Sequence, residues 1–151
     1  MELRCARLRL LYLFFVDQIT YQTDRKISAE QFIDLLVRST LAERRPVNDK
    51  AKIEKMLTHG NILVTAWHHD LLVGVSRALS DFSFCCYLSD LAVAEAYQHQ
   101  GIGKELIRLT HQAAGENDTT LILLATPKAA GYYPKIGMDR NTDCFIIKRK
   151  R

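Results

Sequence analysis

The chain has no stretch rich in proline, glycine or serine; its 3 prolines and 7 glycines are scattered through 151 residues. Two domains on a flexible linker are therefore not expected. Internal repeats and low-complexity tracts are also missing, which excludes a solenoid. The four cysteines, Cys5, Cys85, Cys86 and Cys144, do not have metal-ligand spacing. No metal site is expected, and free thiols of this kind act as small buried hydrophobes in a reducing, cytoplasmic setting. The apolar run at residues 10–16 is far too short to span a bilayer, so no membrane partner is expected. Arg4, Arg7 and Arg9 precede that run as in a signal peptide, but no small-residue cleavage site follows. Residues 1–18 are expected to form an extension docked on the domain, and residues 19–151 a single domain.

What is present is an ordinary globular composition, 48% hydrophobic and 25% charged, in a chain long enough to bury a sizeable core. The formal net charge of +4 is mildly basic. It suits an anionic ligand without requiring a nucleic acid. The basic run Lys148, Arg149, Lys150 and Arg151 reads as a solvated tail.

The order of elements follows from periodicity and end signals. Residues 19–22 read as a short strand. Ser28 and Gln31 have capping-box spacing, and Phe32, Leu35, Leu36 and Ser39 then share one helical face. Arg44-Arg45-Pro46 breaks that helix. Asn48 or Asp49 caps a second one, which buries Ile53, Met56 and Leu57 and ends at Gly60. Residues 61–67 and 71–79 form a hairpin across His68-His69-Asp70, whose histidines read as exposed turn residues. A third long strand covers 84–93. Ile102, Leu106, Ile107, Leu109, Thr110 and Ala113 form a helix face. Residues 120–125 read as an apolar strand covered on both faces, 129–133 as a short helix or loop, and 144–147 as a final strand. The fold class is thus α/β (α+β), a mixed, central twisted sheet of about six to seven strands flanked by helices. A strand–helix–strand crossover follows an antiparallel half.

The segment Gln98-His99-Gln100-Gly101-Ile102-Gly103 falls between the third strand and the helix after it. Two glycines let the backbone approach a ligand, and a helix start offers unpaired N–H groups and a positive dipole end. These features suit a phosphate.

Leu91-Ala92-Val93 precedes this turn, and Tyr133-Pro134-Lys135-Ile136-Gly137-Met138 follows the next strand. In these two motifs, their order and their separation, the chain resembles the GNAT superfamily of N-acetyltransferases over residues 19–148. Met138 stands where the family pattern has Phe. The resemblance implies a GNAT-like acyl-CoA N-acyltransferase fold with acetyl-CoA as acyl donor and no metal. It also implies residue roles. Backbone N–H groups of Gln98, His99, Gln100, Gly101, Ile102, Gly103 and Lys104 would cradle the coenzyme A pyrophosphate, with the Lys104 ammonium as a further contact. The backbone of Leu91, Ala92 and Val93 would pair with the pantetheine arm, and the Val93 N–H would polarise the acetyl carbonyl. Tyr133 would be the general acid for the leaving thiolate. Tyr132 reads as a packing residue, and Pro134 biases Tyr133 toward an extended conformation.

The general base is open on the sequence. Some family members carry a glutamate on the third strand, and Tyr87 takes its place here. Asp90 is the carboxylate on that strand. Simple alternation puts Tyr87, Ser89, Leu91 and Val93 on one face and Leu88, Asp90 and Ala92 on the other, unless a bulge intervenes. Asp90 has two readings, base or substrate ligand and structural hydrogen-bonding residue; proton loss to ordered water needs neither. Arg44 and Arg45 are candidates for a carboxylate or phosphate on the substrate, or are surface charges, and Tyr87 is a further substrate-binding candidate. Trp67 and Phe82 are either acceptor-pocket walls or core. Direct transfer of acetyl to a primary amine of a small molecule in a ternary complex is the leading function. A protein amine, an aminoacyl-tRNA or a non-catalytic acyl-CoA-binding module are the alternatives, and a homodimer is left open.

Overall fold

The computed structural model of the protein describes residues 18–150. The expected extension, apart from Gln18, and Cys5 lie outside the described residues. The elements are β1 (Ile19–Gln22), α1 (Ala29–Arg38), a 3-10 turn (Leu41–Arg44), α2 (Lys50–His59), β2 (Ile62–His68), β3 (Leu71–Ser80), β4 (Cys85–Val93), a 3-10 turn (Glu95–Tyr97), α3 (Ile102–Ala114), β5 (Thr120–Ile122) and α4 (Tyr132–Lys135). The strands lie side by side in chain order. β1 to β4 are antiparallel, and β5 joins β4 in parallel after α3 crosses over.

Local chemistry sets the helix ends. The Ser28 hydroxyl accepts from the Gln31 N–H at 3.2 Å, and the Ser28 N–H donates to Gln31 Oε1 at 3.0 Å. This is the capping box in both directions. Asp49 caps α2 by accepting from the Lys52 N–H at 3.0 Å. Two apolar layers enclose the sheet. Phe32, Leu35, Leu36 and Ile53 of α1 and α2 pack on Trp67, Leu72, Val75 and Ala92. On the other face Ile102, Leu106 and Ile107 of α3 pack on Val64, Ala66, Ala78, Cys86 and Leu88. The buried face of α3 ends on Ala114, and Ala113 is exposed.

A bulge in β4 positions the site. Arg77 faces Asp90 while the next residue, Ala78, faces Leu88, so Ser89 is the extra residue. A bulge shifts the two-residue period. Cys86 and Leu88 before it, and Leu91 and Val93 after it, all face α3. Ala92 packs on the α1–α2 side, and Asp90 reaches Arg45 of the α1–α2 connection. The simple alternation expected for this strand therefore fails at Ser89.

The sheet has five strands among the described residues, fewer than the six to seven expected. Residues 144–147 form no strand; Phe145 is 93% and Ile147 101% exposed. Apolar β-formers make a strand only when a partner's N–H and C=O groups lie within reach. Here residues 144–146 and 121–124 instead line one cavity of about 860 Å³. β5 stops at Ile122, and Ile122 and Leu124 are about half exposed, so this segment is not covered on both faces. Tyr133 is helical, contrary to the extended bias expected from Pro134. A proline in the first turn of a helix lacks only an N–H that would be unpaired anyway. His68 is half-buried, with Nδ1 2.8 Å from the Tyr97 hydroxyl, and only His69 is the exposed turn residue.

Candidate functional site

β4 ends at Val93, one short 3-10 turn before the glycine turn, and its two edges have different fates. The Ala94 N–H donates to Val73 O at 2.9 Å. In an antiparallel ladder alternate residues point their N–H and C=O away from the partner. Val93 and Leu91 therefore turn theirs away from β3. On that far side β5 pairs only with Cys85, Cys86 and Tyr87. The Leu91 and Val93 N–H groups thus face a gap where the two strands part. The side-chain amide of Gln98 spans the corner and donates to Val93 O at 3.0 Å.

The turn leads into α3 with no side-chain cap. Gly101 has φ of +82°, and His99 also has positive φ, 62°. A Cβ at Gly101 would meet nothing within 4 Å, so the space over this turn is open. Uncapped first-turn amides carry the positive end of the helix dipole and suit an anion. Lys104 and Gly101 line a hollow of about 260 Å³ beside the turn. Arg108, on the same wall, is held by the Glu105 carboxylate at 2.7 and 2.8 Å.

Tyr133 and Tyr132 stand on α4, ring edge to ring face with centroids 5.4 Å apart. Tyr133 is half-buried and lines the large cavity together with Tyr87 and Arg44. Burial raises the Tyr133 phenol above its ordinary value, with neighbouring Tyr132 adding to the effect, so it holds its proton. Burial raises Tyr132 as well.

The structure separates the two arginines. Arg44 is exposed on the cavity wall, whereas Arg45 turns inward. The Arg45 Nε donates to Asp90 Oδ1, and its Nη2 donates to Ser89 O at 2.7 Å. Arg77, from β3, gives Nε to the other oxygen of Asp90 at 2.5 Å, Nη2 to the Ser89 hydroxyl at 2.9 Å and Nη1 to Met56 O at 3.1 Å. The Asp90 side chain is fully buried, and both its oxygens are taken. Two guanidiniums compensate one buried carboxylate, and the cluster ties the bulge of β4 to β3, α2 and the α1–α2 connection. A charged residue inside the apolar β3 run was the sequence signal for a buried partner of Arg77; its identity required the fold. Trp67 is core, its indole N–H donating to Thr65 Oγ1 at 2.8 Å. Phe82 is half exposed on the β3–β4 turn, and neither residue lines the cavity. No group of three or more potential metal ligands occurs among the described residues. No helix among them is long and apolar enough to cross a membrane.

Comparison with known proteins places this geometry. A family model described as an acetyltransferase (GNAT) domain matches residues 25–145. An uncharacterized N-acetyltransferase, ycf52, of Gracilaria tenuistipitata var. liui is 28% identical over 102 residues, covering 66% of this chain. The chain spans 56% of the length of that relative in the match. Among solved structures, the GNAT family acetyltransferase SP0256 of Streptococcus pneumoniae TIGR4 superposes with a TM-score of 0.70 at 23% identity, over 88% of this chain and all of that one. The aminoglycoside N-acetyltransferase AAC(6')-Iy, solved in complex with CoA, gives a TM-score of 0.68 at 17% identity, over 89% and 96% of the two chains.

Proposed function

The chain belongs to the GNAT acetyltransferase domain family, and on that premise we propose that it transfers acetyl from acetyl-CoA to a primary amine of a small-molecule acceptor by direct attack in a ternary complex. One observation carries the reading. The edge of β4 that is open at Leu91 and Val93 is followed, after the 3-10 turn Glu95–Tyr97 and the glycine turn, by an uncapped helix start, an order that offers amides to an extended arm and then to a phosphate. These residues fit acetyl-CoA, as does the open space above Gly101. Acetyl-CoA when bound supplies an activated thioester.

The chain's own groups do the rest. Amides from Gln98 to Lys104 hold the diphosphate, and the β4 edge pairs with the arm through the backbone groups of Leu91 and Val93, those of Ala92 being turned to β3. The Val93 N–H donates to the acetyl oxygen as negative charge develops there. The amine lone pair forms the new C–N bond, the C–S bond breaks, and the Tyr133 O–H gives its proton to the departing sulfur and takes one back from water. The proton lost by the amine goes to water, since Asp90 has both oxygens committed to arginines and Tyr87, the β4 residue that lines the cavity, carries no carboxylate. Arg44 faces the acceptor cavity and suits an anionic group on the acceptor, while Arg45 serves Asp90.

Two measurements test this reading. Saturating acetyl-CoA raises the melting temperature; at a hundredfold over Kd the stabilisation is about 2.7 kcal/mol. A panel of polyamines, amino sugars, amino acids and lysine peptides includes acceptors that release free thiol faster than the hydrolysis blank. A folded sample with no thermal shift refutes the donor assignment.

A further inference from the structure

We propose that Tyr132 is a coenzyme A-binding residue whose phenol O–H donates to the diphosphate at the start of α3, an inference that rests on reading that first turn as the diphosphate cradle.

The two glycines of the turn answer different demands. Gly101 is required by its φ of +82°, and a Cβ there would meet open space. Gly103 is helical, and a Cβ there would lie 3.0 Å from the Tyr132 hydroxyl and 3.8 Å from Cζ. The volume that a side chain at Gly103 would fill is therefore occupied by the end of the Tyr132 phenol. Glycine at this position makes room for a hydroxyl from another element, brought in by α4.

That hydroxyl has no hydrogen-bond partner among the described residues. Tyr132 is 38% exposed, so its side chain still reaches solvent. Its ring packs against Tyr133, with ring planes at 72°. The amides of Ile102, Gly103 and Lys104 beside it lack a side-chain cap. A donor with no partner thus stands beside amides with no acceptor. Both lack an acceptor, which a diphosphate oxygen supplies. Burial keeps the phenol protonated and so a donor. The same placement links donor binding to chemistry, because the Tyr132 ring buttresses Tyr133, the proposed acid.

The test is titration calorimetry with CoA on Tyr132→Phe and Gly103→Ala, with competition by S-acetylpantetheine, which has the thioester arm and no diphosphate. Tyr132→Phe raises the CoA Kd on the order of tenfold, the loss of one hydrogen bond to a charged group. Its effect on S-acetylpantetheine stays within about twofold of none, because the lost partner is the diphosphate alone. Gly103→Ala pushes the hydroxyl aside and gives a similar loss. Added to Tyr132→Phe it costs little more, because both act on one contact. If Tyr132→Phe does not fold, Gly103→Ala carries the same comparison. Unchanged CoA affinity in the folded variants overturns the inference. So does equal loss with both ligands, which marks a packing role, and so do additive losses. Failure of the wild type to bind CoA overturns the cradle reading as well, which separates the two.

Discussion

Replacing Asp90 with asparagine removes the charge that two arginines share and distinguishes a structural from a catalytic carboxylate. The Asp90 side chain is 0% exposed, Arg77 7% and Arg45 21%. Removing one partner of a buried ion pair costs about 3–5 kcal/mol because the other charge is left uncompensated. Arg45 reaches water and keeps Ser89 O; Arg77 keeps Met56 O and the Ser89 hydroxyl. Both facts place the cost at the low end, about 3 kcal/mol, a large share of a domain's stability. A chain of this size loses roughly 3 °C of Tm per kcal/mol, so Asp90→Asn melts about 9 °C lower. Urea unfolding reports the same change as a lower midpoint at constant m-value. Arg45→Gln in the Asp90→Asn background costs less than Arg45→Gln alone, since the partner is already gone. Turnover per folded molecule keeps the wild-type pH profile. A variant that melts with the wild type but loses turnover and its acidic pH limb refutes the reasoning and makes Asp90 the base.

Two further outcomes follow from the geometry. Tyr133→Phe lowers kcat by about a hundredfold while the acetyl-CoA Kd stays within about twofold, checked by stopped thiol-release assays and calorimetry. With Tyr133 as the proposed acid, the protonated phenol is the active form; burial raises its pKa, so the alkaline limb of wild-type turnover lies above the ordinary phenol range and disappears in Tyr133→Phe. Asp81 accepts three backbone N–H bonds in the β3–β4 turn, from Ser83, Phe84 and Cys85, which hold its carboxyl down at about 2. A carboxyl lowered in the folded state stabilises above its unfolded value and loses that contribution as pH falls. The Tm gap between wild type and Asp81→Asn is therefore full above about pH 4 and closes toward about pH 2 in a melting series.

Much of the fold was legible in local signals. The capping box at Ser28, the cap at Asp49 and the apolar spacing in residues 32–36 act within one or two turns, so nearby residues suffice to read them. The glycine turn and the tyrosine element were equally local. The last strand was misread because an apolar run carries no record of whether a partner edge lies beside it. The strand alternation was misread because a bulge is a property of a pair of strands.

The sequence by itself determined the order of elements as far as β5, the family and the placement of the glycine turn between β4 and α3. Each of these depends on spacing along the chain, and spacing survives without coordinates. Tertiary structure decided which of two adjacent arginines faces the cavity and that Asp90 is spent on Arg45 and Arg77. It also decided that Gly103 makes room for Tyr132. These contacts join residues from 13 to 45 positions apart along the chain, or sit on different elements. They are fixed by how the sheet's two faces pack and by the single extra residue at Ser89, which turns one half of β4 against the other.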